Sequence, residues 1–359
     1  MSRSTVIRIA ALVVGLLAAA SPVTAAFDAT PPALSVYEGT VGRRAVVALL
    51  DPAVTTRISG VYFYRHDGRD IALSGMRTSF DEHDPSSLAN PDGATTARFT
   101  GRWSTDSAAF TGTWRRVGEA GAAIKVSLHR VRFTGTNATA RIRSTVRSAQ
   151  SPLGTARYRV PVVTGTTPTW IGTRIAGDFA KAALLDDTLD AVIAQYTDNG
   201  GGITDLDYDV VYNGEGVLDL RVRAETMGAY PDQFAEDRLY DVRTGAHLRA
   251  GDLFASTTKP ALVKLLQSRV DAIVDRASKA EPSTTDELRS LVATSGATID
   301  DRELGSLSIG AAGVVFHHDF GFPHVAQALE PNGDVPLRWR ELAPFVRTGG
   351  LLDPLARRG

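Results

Sequence analysis

Residues 205–223, DLDYDVVYNGEGVLDLRVR, show the clearest strand pattern in the chain. Apolar and polar residues alternate over Leu206–Tyr212, which is typical of a strand with one buried face. The turn-forming residues Asn213–Gly216 follow, and a second apolar run occupies Val217–Val222. An Asn-Gly pair between two such runs predicts an antiparallel hairpin.

The segments before and after this hairpin have apolar residues at helical spacing. Apolar residues recur every three or four positions from Ile175 to Tyr196, and again after Pro260 along a longer segment that reaches Val274. Shorter helices are predicted over 286–293 and 339–346. Strands grouped between long helices predict an α+β domain over residues 156–356, with helices packed on a mainly antiparallel sheet.

The N-terminal part has a different pattern. Residues 34–132 contain short apolar or alternating runs about ten residues apart, broken by glycine and by the Asp67-Gly68 turn. This spacing predicts a β-rich domain, either an antiparallel β-meander or a small barrel. Within it, the segment 80–93 brings together Asp81, Glu82, His83 and Asp84. We interpret this segment as an acidic loop between strands, with a metal site as the alternative.

Residues 133–155 are polar and small and lack apolar periodicity. This composition predicts a linker between the two domains.

Residues 1–26 have the layout of a secretory signal peptide. Arg3 and Arg8 precede an uncharged apolar run over Ile9–Ala20, and small residues close the segment at Ala25 and Ala26. The run is too short for a permanent membrane span. The sequence contains no cysteine that could carry a lipid. We therefore expect a soluble periplasmic or secreted protein with no membrane anchor in its mature form.

The charge of the chain is nearly balanced. It has 39 basic and 40 acidic residues among 359, a formal net charge of −1 at pH 7. Because nucleic-acid partners call for a basic surface, this balance argues against them.

Several motifs follow a known family order. These are the Tyr208–Val222 hairpin, Tyr240–Gly245, the Gly251–Phe254 box, Gly313–Phe316 and Val335–Leu337. Over about 156–347 the chain resembles the extracellular domain of the RsiV-type anti-sigma factors, which also accompanies some peptidoglycan deacetylases. Residues 34–132 resemble a β-rich module of exported bacterial proteins. The first resemblance implies a sensor or accessory module without catalytic residues of its own, and members of that family bind lysozyme.

The candidate site lies between the last two of these motifs. Where family members commonly carry Pro-Tyr pairs, this chain has Asp319-Phe320-Gly321-Phe322 and Val325-Ala326. We expect Phe320 and Phe322 on an exposed loop, with His318 and His324 beside them, forming a surface that binds an envelope protein or a peptidoglycan fragment. A zinc site of His318, His324 and Asp319 is the alternative, although we expect no metal and no cofactor.

Common catalytic motifs are missing. The sequence has no G-x-S-x-G, no H-E-x-x-H, no phosphate-binding loop and no cysteine nucleophile. We therefore predict no catalytic residue and an envelope binding or accessory protein. The alternative is a cell-envelope hydrolase, which would need a concave site where titratable side chains converge.

Overall fold

The computed structural model describes residues 35–50, 56–84, 94–132, 137–228, 231–295, 298–300 and 303–358. The predicted signal peptide over residues 1–26 lies outside them. No helix among the described residues has the length and apolar character needed to cross a membrane.

The N-terminal region is a closed antiparallel barrel of eight strands. Strand β1 pairs with β2 on one side and with the last strand, β8, on the other, so the barrel has no open edge. Its strands are β1 (Ser35–Val41), β2 (Arg44–Leu50), β3 (Arg57–Tyr64), β4 (Ile71–Met76), β5 (Ser79–Asp84), β6 (Ala94–Trp103), β7 (Ala109–Arg116) and β8 (Ile124–Val131). Of the two expected forms, meander and barrel, the barrel is present.

Aromatic rings fill the barrel. Phe80 stacks on Phe99 with ring centroids 5.0 Å apart, and Phe110 lies 5.3 Å from Phe80. Gly101 and Gly112 pair across β6 and β7, where a Cβ on either residue would come within 2.4 Å of a carbonyl oxygen. The strands therefore close around Phe110 only because both positions lack a side chain.

The prediction of an acidic loop was wrong over Ser79–Asp84, which form β5. Side chains alternate along a strand, so Asp81 faces outward to Arg98 while Glu82 faces the interior. Glu82 accepts hydrogen bonds from the Tyr62 hydroxyl at 2.5 Å and from Trp114 Nε1 and Thr96 Oγ1, each at 2.8 Å. Three neutral donors thus satisfy a buried carboxylate.

A six-stranded sheet follows the barrel in the order β14-β13-β12-β11-β10-β9. All neighbours are antiparallel except β10 and β11, so the sheet is mixed, with one parallel pair. The strands are β9 (Arg141–Ser151), β10 (Gly154–Thr164), β11 (Gly202–Gly214), β12 (Val217–Met227), β13 (Pro231–Asp241) and β14 (Ala246–His247). The predicted 205–223 hairpin corresponds to β11 and β12.

The prediction of a linker over 133–155 was wrong where the structure describes it. Residues 141–151 form β9, an edge strand paired with β10 along its whole length. The polar composition reflects a strand whose side chains are mostly exposed. Edge strands of this kind carry little apolar periodicity, which is why the sequence resembled a linker. Residues 133–136 lie outside the described residues.

One face of the six-stranded sheet carries two helices. α1 (Trp170–Ala183) and α2 (Leu189–Asn199) replace the single predicted helical run. The chain breaks between them at Leu185 and Asp186, which have positive φ values of 55° and 67°. α1 also packs on the outside of the barrel, so Phe63 and Trp170 belong to one core.

A three-stranded sheet covers the opposite face. It contains β15 (Leu307–Gly310), β16 (Gly313–His317) and β17 (Asp334–Arg338), and β15 lies against β11, β12 and β13. The remaining helices are α3 (Ala250–Leu253), α4 (Lys259–Ala280), α5 (Thr285–Ser295), α6 (Trp339–Leu342) and α7 (Asp353–Ala356). Together these elements give an α+β fold with a β-rich N-terminal part.

Candidate functional site

The predicted aromatic loop is part of the core. Phe320 is 0% exposed and Phe322 is 5% exposed, and both pack in the cluster that contains Leu266 and Phe316. The expectation of exposed phenylalanines was wrong, because both rings are buried in a hydrophobic cluster that residues of β16 and α4 also form. An apolar ring separated from water by its own protein offers no surface to a partner.

His318 is also buried, with a side chain 2% exposed. Its Nδ1 faces Glu303 Oε1, and its ring lies edge-on to Phe320 at 4.5 Å between centroids. Its Nε2 is buried without a hydrogen-bond partner among the described residues. The His324 side chain lies outside the described part of the structure, so the pairing of His318 with His324 stays a prediction.

The neighbouring His317 connects two layers of the fold. It pairs with Asp334 across β16 and β17, and its Nδ1 lies 2.7 Å from Asp334 Oδ1. Its Nε2 lies 3.1 Å from Asp237 Oδ2 on β13 and 3.0 Å from Ser308 Oγ on β15. The imidazole therefore joins the three-stranded sheet to the six-stranded one.

Ser308, His317 and Asp334 have the spacing of a nucleophilic triad. The second carboxylate at His317, that of Asp237, changes the chemistry of the three. Burial alone lowers the pKa of His317, yet hydrogen bonds to Asp237 and Asp334 outweigh it and raise this pKa above its usual value. A histidine held between two carboxylates donates from both nitrogens. Such a ring is a poor base for a serine hydroxyl, since a general base needs a free nitrogen lone pair.

A second carboxyl lies close to this cluster. Asp219 on β12 is fully buried, and its Oδ2 accepts a hydrogen bond from the Ile309 N–H at 2.8 Å. Its Oδ1 has no hydrogen-bond partner among the described residues. Burial, reinforced by the nearby Asp237 carboxylate, raises the pKa of Asp219 to about 7. Asp219 and His317 thus both bind protons more tightly than free side chains do.

A pocket of about 370 Å³ opens beside this cluster, between β13, the segment from β14 into α3, and the start of α4. We call it the β13 pocket. Its lining includes acidic, basic and neutral polar side chains, namely Glu236, Asp237, Arg249, Lys259, His247 and Ser306.

His247 contributes a neutral polar wall to the β13 pocket. Burial lowers its pKa to about 4; Asp178 opposes this shift, while Arg238 and Arg249 reinforce it. Arg238 Nη1 lies 3.4 Å from His247 Nδ1, which makes Nδ1 the acceptor and leaves the ring proton on Nε2. At neutral pH the cations of the pocket are therefore Arg249 and Lys259.

Sequence reasoning assigned no binding role to any residue of the β13 pocket. The lining residues come from four separate segments, and each charged residue or histidine among them looks ordinary by itself. The Gly251–Phe254 box was the nearest signal, since it marks the turn that forms one wall. Among the described residues, no three histidine or acidic side chains are placed to hold a metal ion.

Comparisons with known proteins gave matches among solved structures. No family model matches the chain, and no curated protein matches it. A crystal structure of a DUF3298 family protein from Pseudomonas aeruginosa PAO1 is 13% identical, covering 59% of this chain and 96% of its own, with a TM-score of 0.41. A crystal structure of a member of the same family from Bacteroides fragilis NCTC 9343 is 12% identical in sequence. The match covers 62% of this chain and 100% of that one, with a TM-score of 0.44.

Proposed function

We propose that this chain is an exported, soluble binding or accessory protein of the cell envelope, and that its ligand binds in the β13 pocket. The signal-peptide pattern of residues 1–26 supports export. The resemblance to the RsiV-type extracellular domain supports a recognition role in the periplasm or outside the cell. The partner is an envelope protein, such as lysozyme, or a peptidoglycan fragment.

The observation that carries this proposal is the lining of the β13 pocket. Its volume of about 370 Å³ suits a small ligand or the end of a chain. Arg249 and Lys259 can pair with a carboxylate, while Glu236 can pair with an ammonium group. Cell-wall peptides and protein segments both carry charges of the two signs, so either fits this lining.

The charged side chains of this region support binding rather than catalysis. Asp237 is engaged by His317, and His247 accepts from Arg238. A group committed to a structural partner is unavailable for proton transfer to a substrate.

A cell-envelope hydrolase is the second candidate, and one observation favours it. The Ser308 Oγ to His317 Nε2 distance of 3.0 Å and the His317 Nδ1 to Asp334 distance of 2.7 Å match a nucleophilic triad. A fluorophosphonate probe labels serine nucleophiles activated in this way. Labelling that disappears in Ser308→Ala would favour the hydrolase over the binding protein.

The β13 pocket can be filled without disturbing the backbone. Gly251 lines it, and a Cβ added there meets no atom within 4 Å. We expect soluble muropeptides or purified lysozyme to bind the wild-type protein in calorimetric titrations, and Gly251→Trp to weaken that binding at least about tenfold, or ~1.4 kcal/mol. Gly121, in the loop between β7 and β8, is equally open. Gly121→Trp is the matched control, and equal binding by both variants would exclude the pocket.

A further inference from the structure

The edge of the six-stranded sheet beside the β13 pocket is incomplete. β13 spans Pro231–Asp241, but β14 pairs only with Tyr240 and Asp241. Within the described residues, the part of β13 before Tyr240 has β12 on one side and no strand on the other. An open edge of this kind is a template for an added strand.

Two hydrogen bonds show which backbone groups face the open side. The Leu248 N–H donates to the Leu239 carbonyl at 2.7 Å, and the Gly245 N–H donates to the Asp241 carbonyl at 2.7 Å. Backbone direction alternates along a strand, so the odd-numbered residues of β13 point to this side. The next such residues are Asp237 and Ala235, whose N–H and C=O groups therefore face outward.

The β13 pocket lies where this open edge begins. Asp237 lines it, although its side chain is only 3% exposed and is held by His317. What Asp237 offers to a ligand is therefore its backbone. The segment from His247 to Gly251 leaves the sheet here and closes the end of the groove. An added strand would stop at this wall.

The charges along the groove are not uniform. Arg249 and Lys259 line its closed end, whereas Asp232 and Glu236 lie on β13 itself. A second copy of β13 would bring these carboxylates against their own counterparts, which disfavours self-pairing. A chain that ends in a carboxylate at the cationic end complements this distribution.

We propose that the β13 pocket binds the C-terminal segment of a protein, which adds to β13 as a parallel strand and places its terminal carboxylate at Arg249 and Lys259. The direction follows from the geometry. β13 runs from Pro231 towards the closed end, so a ligand whose C-terminus reaches that end runs the same way. This inference rests on the proposed function and specifies its ligand class.

The test uses N-terminally labelled octapeptides of random sequence, each with a free or an amidated C-terminus. We expect free-acid peptides to bind at least about tenfold more tightly than amidated ones, since amidation removes the charge that Arg249 pairs with. Arg249→Gln should abolish this difference. Arg102→Gln on β6, an exposed arginine of the barrel, should preserve it.

The strand addition has its own variant. Ala235→Pro removes an N–H on the open side and leaves the hydrogen bonds to β12 in place. It should therefore weaken the binding of free-acid and amidated peptides equally. Ala235→Thr retains the N–H and should bind the peptides as the wild type does. Circular dichroism checks that both variants are folded. Equal binding of free and amidated peptides would overturn the inference, as would a dimer that Ala235→Pro dissociates.

Different results would reject the proposed function and the strand addition. If muropeptides bind and Gly251→Trp abolishes their binding, while no free-acid peptide binds, the proposed function holds and the strand addition is wrong. If no muropeptide, lysozyme or peptide binding responds to Gly251→Trp, both are wrong.

Discussion

Arg174 on α1 and Asp70 in the barrel form a bidentate salt bridge between residues 104 positions apart in sequence. Arg174 Nε donates to Asp70 Oδ1 at 2.8 Å and Nη2 donates to Oδ2 at 2.6 Å. Arg174 Nη1 also donates to the Thr244 carbonyl at 2.8 Å, at the turn between β13 and β14. One buried guanidinium thus joins the barrel, the first helix and the mixed sheet.

Removing one partner of this bridge should destabilise the whole protein. In Asp70→Ala the guanidinium of Arg174, 6% exposed, stays buried without its counter-charge. We expect a loss of about 3 kcal/mol in the free energy of unfolding, the lower end for breaking a buried pair, since Asp70 is 34% exposed. Urea titration of the full chain measures it. Asp67→Ala, which removes the more exposed pair with Arg69, should cost less than about 1 kcal/mol.

The buried loop predicts a clear result for Phe320. Phe320→Ala removes a ring that is 0% exposed and leaves a cavity in the core, so we expect a loss of about 3–5 kcal/mol. Thermal unfolding followed by circular dichroism tests this. Val325 lies in the same loop and is 95% exposed, so Val325→Ser should change stability by less than about 0.5 kcal/mol. A Phe320→Ala protein as stable as the wild type would show that the Phe320 ring is exposed.

Stability should fall as pH rises because of Asp219. Its folded pKa of about 7 lies above the usual value of 3.8, so the folded state retains a proton that the unfolded state releases. The penalty is absent below pH ~4 and grows until the pH passes ~7. Asp219→Asn has no charge to bury, so its stability relative to the wild type should rise between pH 4 and pH 8.

His317 also makes the protein less stable as pH rises. Because its pKa is raised in the folded state, its contribution is complete below the unfolded value of about 6.5 and is lost as pH rises through the folded value. Unfolding free energies of wild type, Asp219→Asn and His317→Gln at pH 5 and pH 8 separate the two groups. Asp209→Asn, at an exposed pair with Arg223, is the control. If the stability of Asp219→Asn relative to the wild type does not rise from pH 5 to pH 8, the Asp219 assignment is wrong, and the same result for His317→Gln would contradict the His317 assignment.

The interior of the barrel depends on Glu82. In Glu82→Ala the Tyr62 hydroxyl and Trp114 Nε1 lose their acceptor, and we expect a cost of about 2–4 kcal/mol. Tryptophan fluorescence during urea unfolding reports it, since Trp114 lies at the site. The adjacent Asp81→Ala removes only an outward pair with Arg98 and should cost less than about 1 kcal/mol. Equal costs for the two variants would show that Glu82 has no special role.

Local patterns predicted the elements that have a strong period. The hairpin at 205–223 and the helix after Pro260 are found as β11–β12 and α4, because one buried face fixes an alternation of two or of 3.6 residues. β9 carries no such period and was mistaken for a linker. From Ile175 to Tyr196 the apolar residues keep helical spacing across a break at Leu185 and Asp186, which have positive φ values although neither is glycine.

The sequence by itself determined the α+β class, the β-rich start and the strongest strands and helices, because each follows from side chains within a few residues. Only the tertiary structure decided what faces water. The sequence alone predicted an exposed loop for Phe320 and Phe322, but both rings are buried in a cluster with residues from distant segments. Only the fold brought Asp237, His247, Arg249 and Lys259 to one pocket. Such a site depends on contacts between distant segments, and no local pattern encodes these.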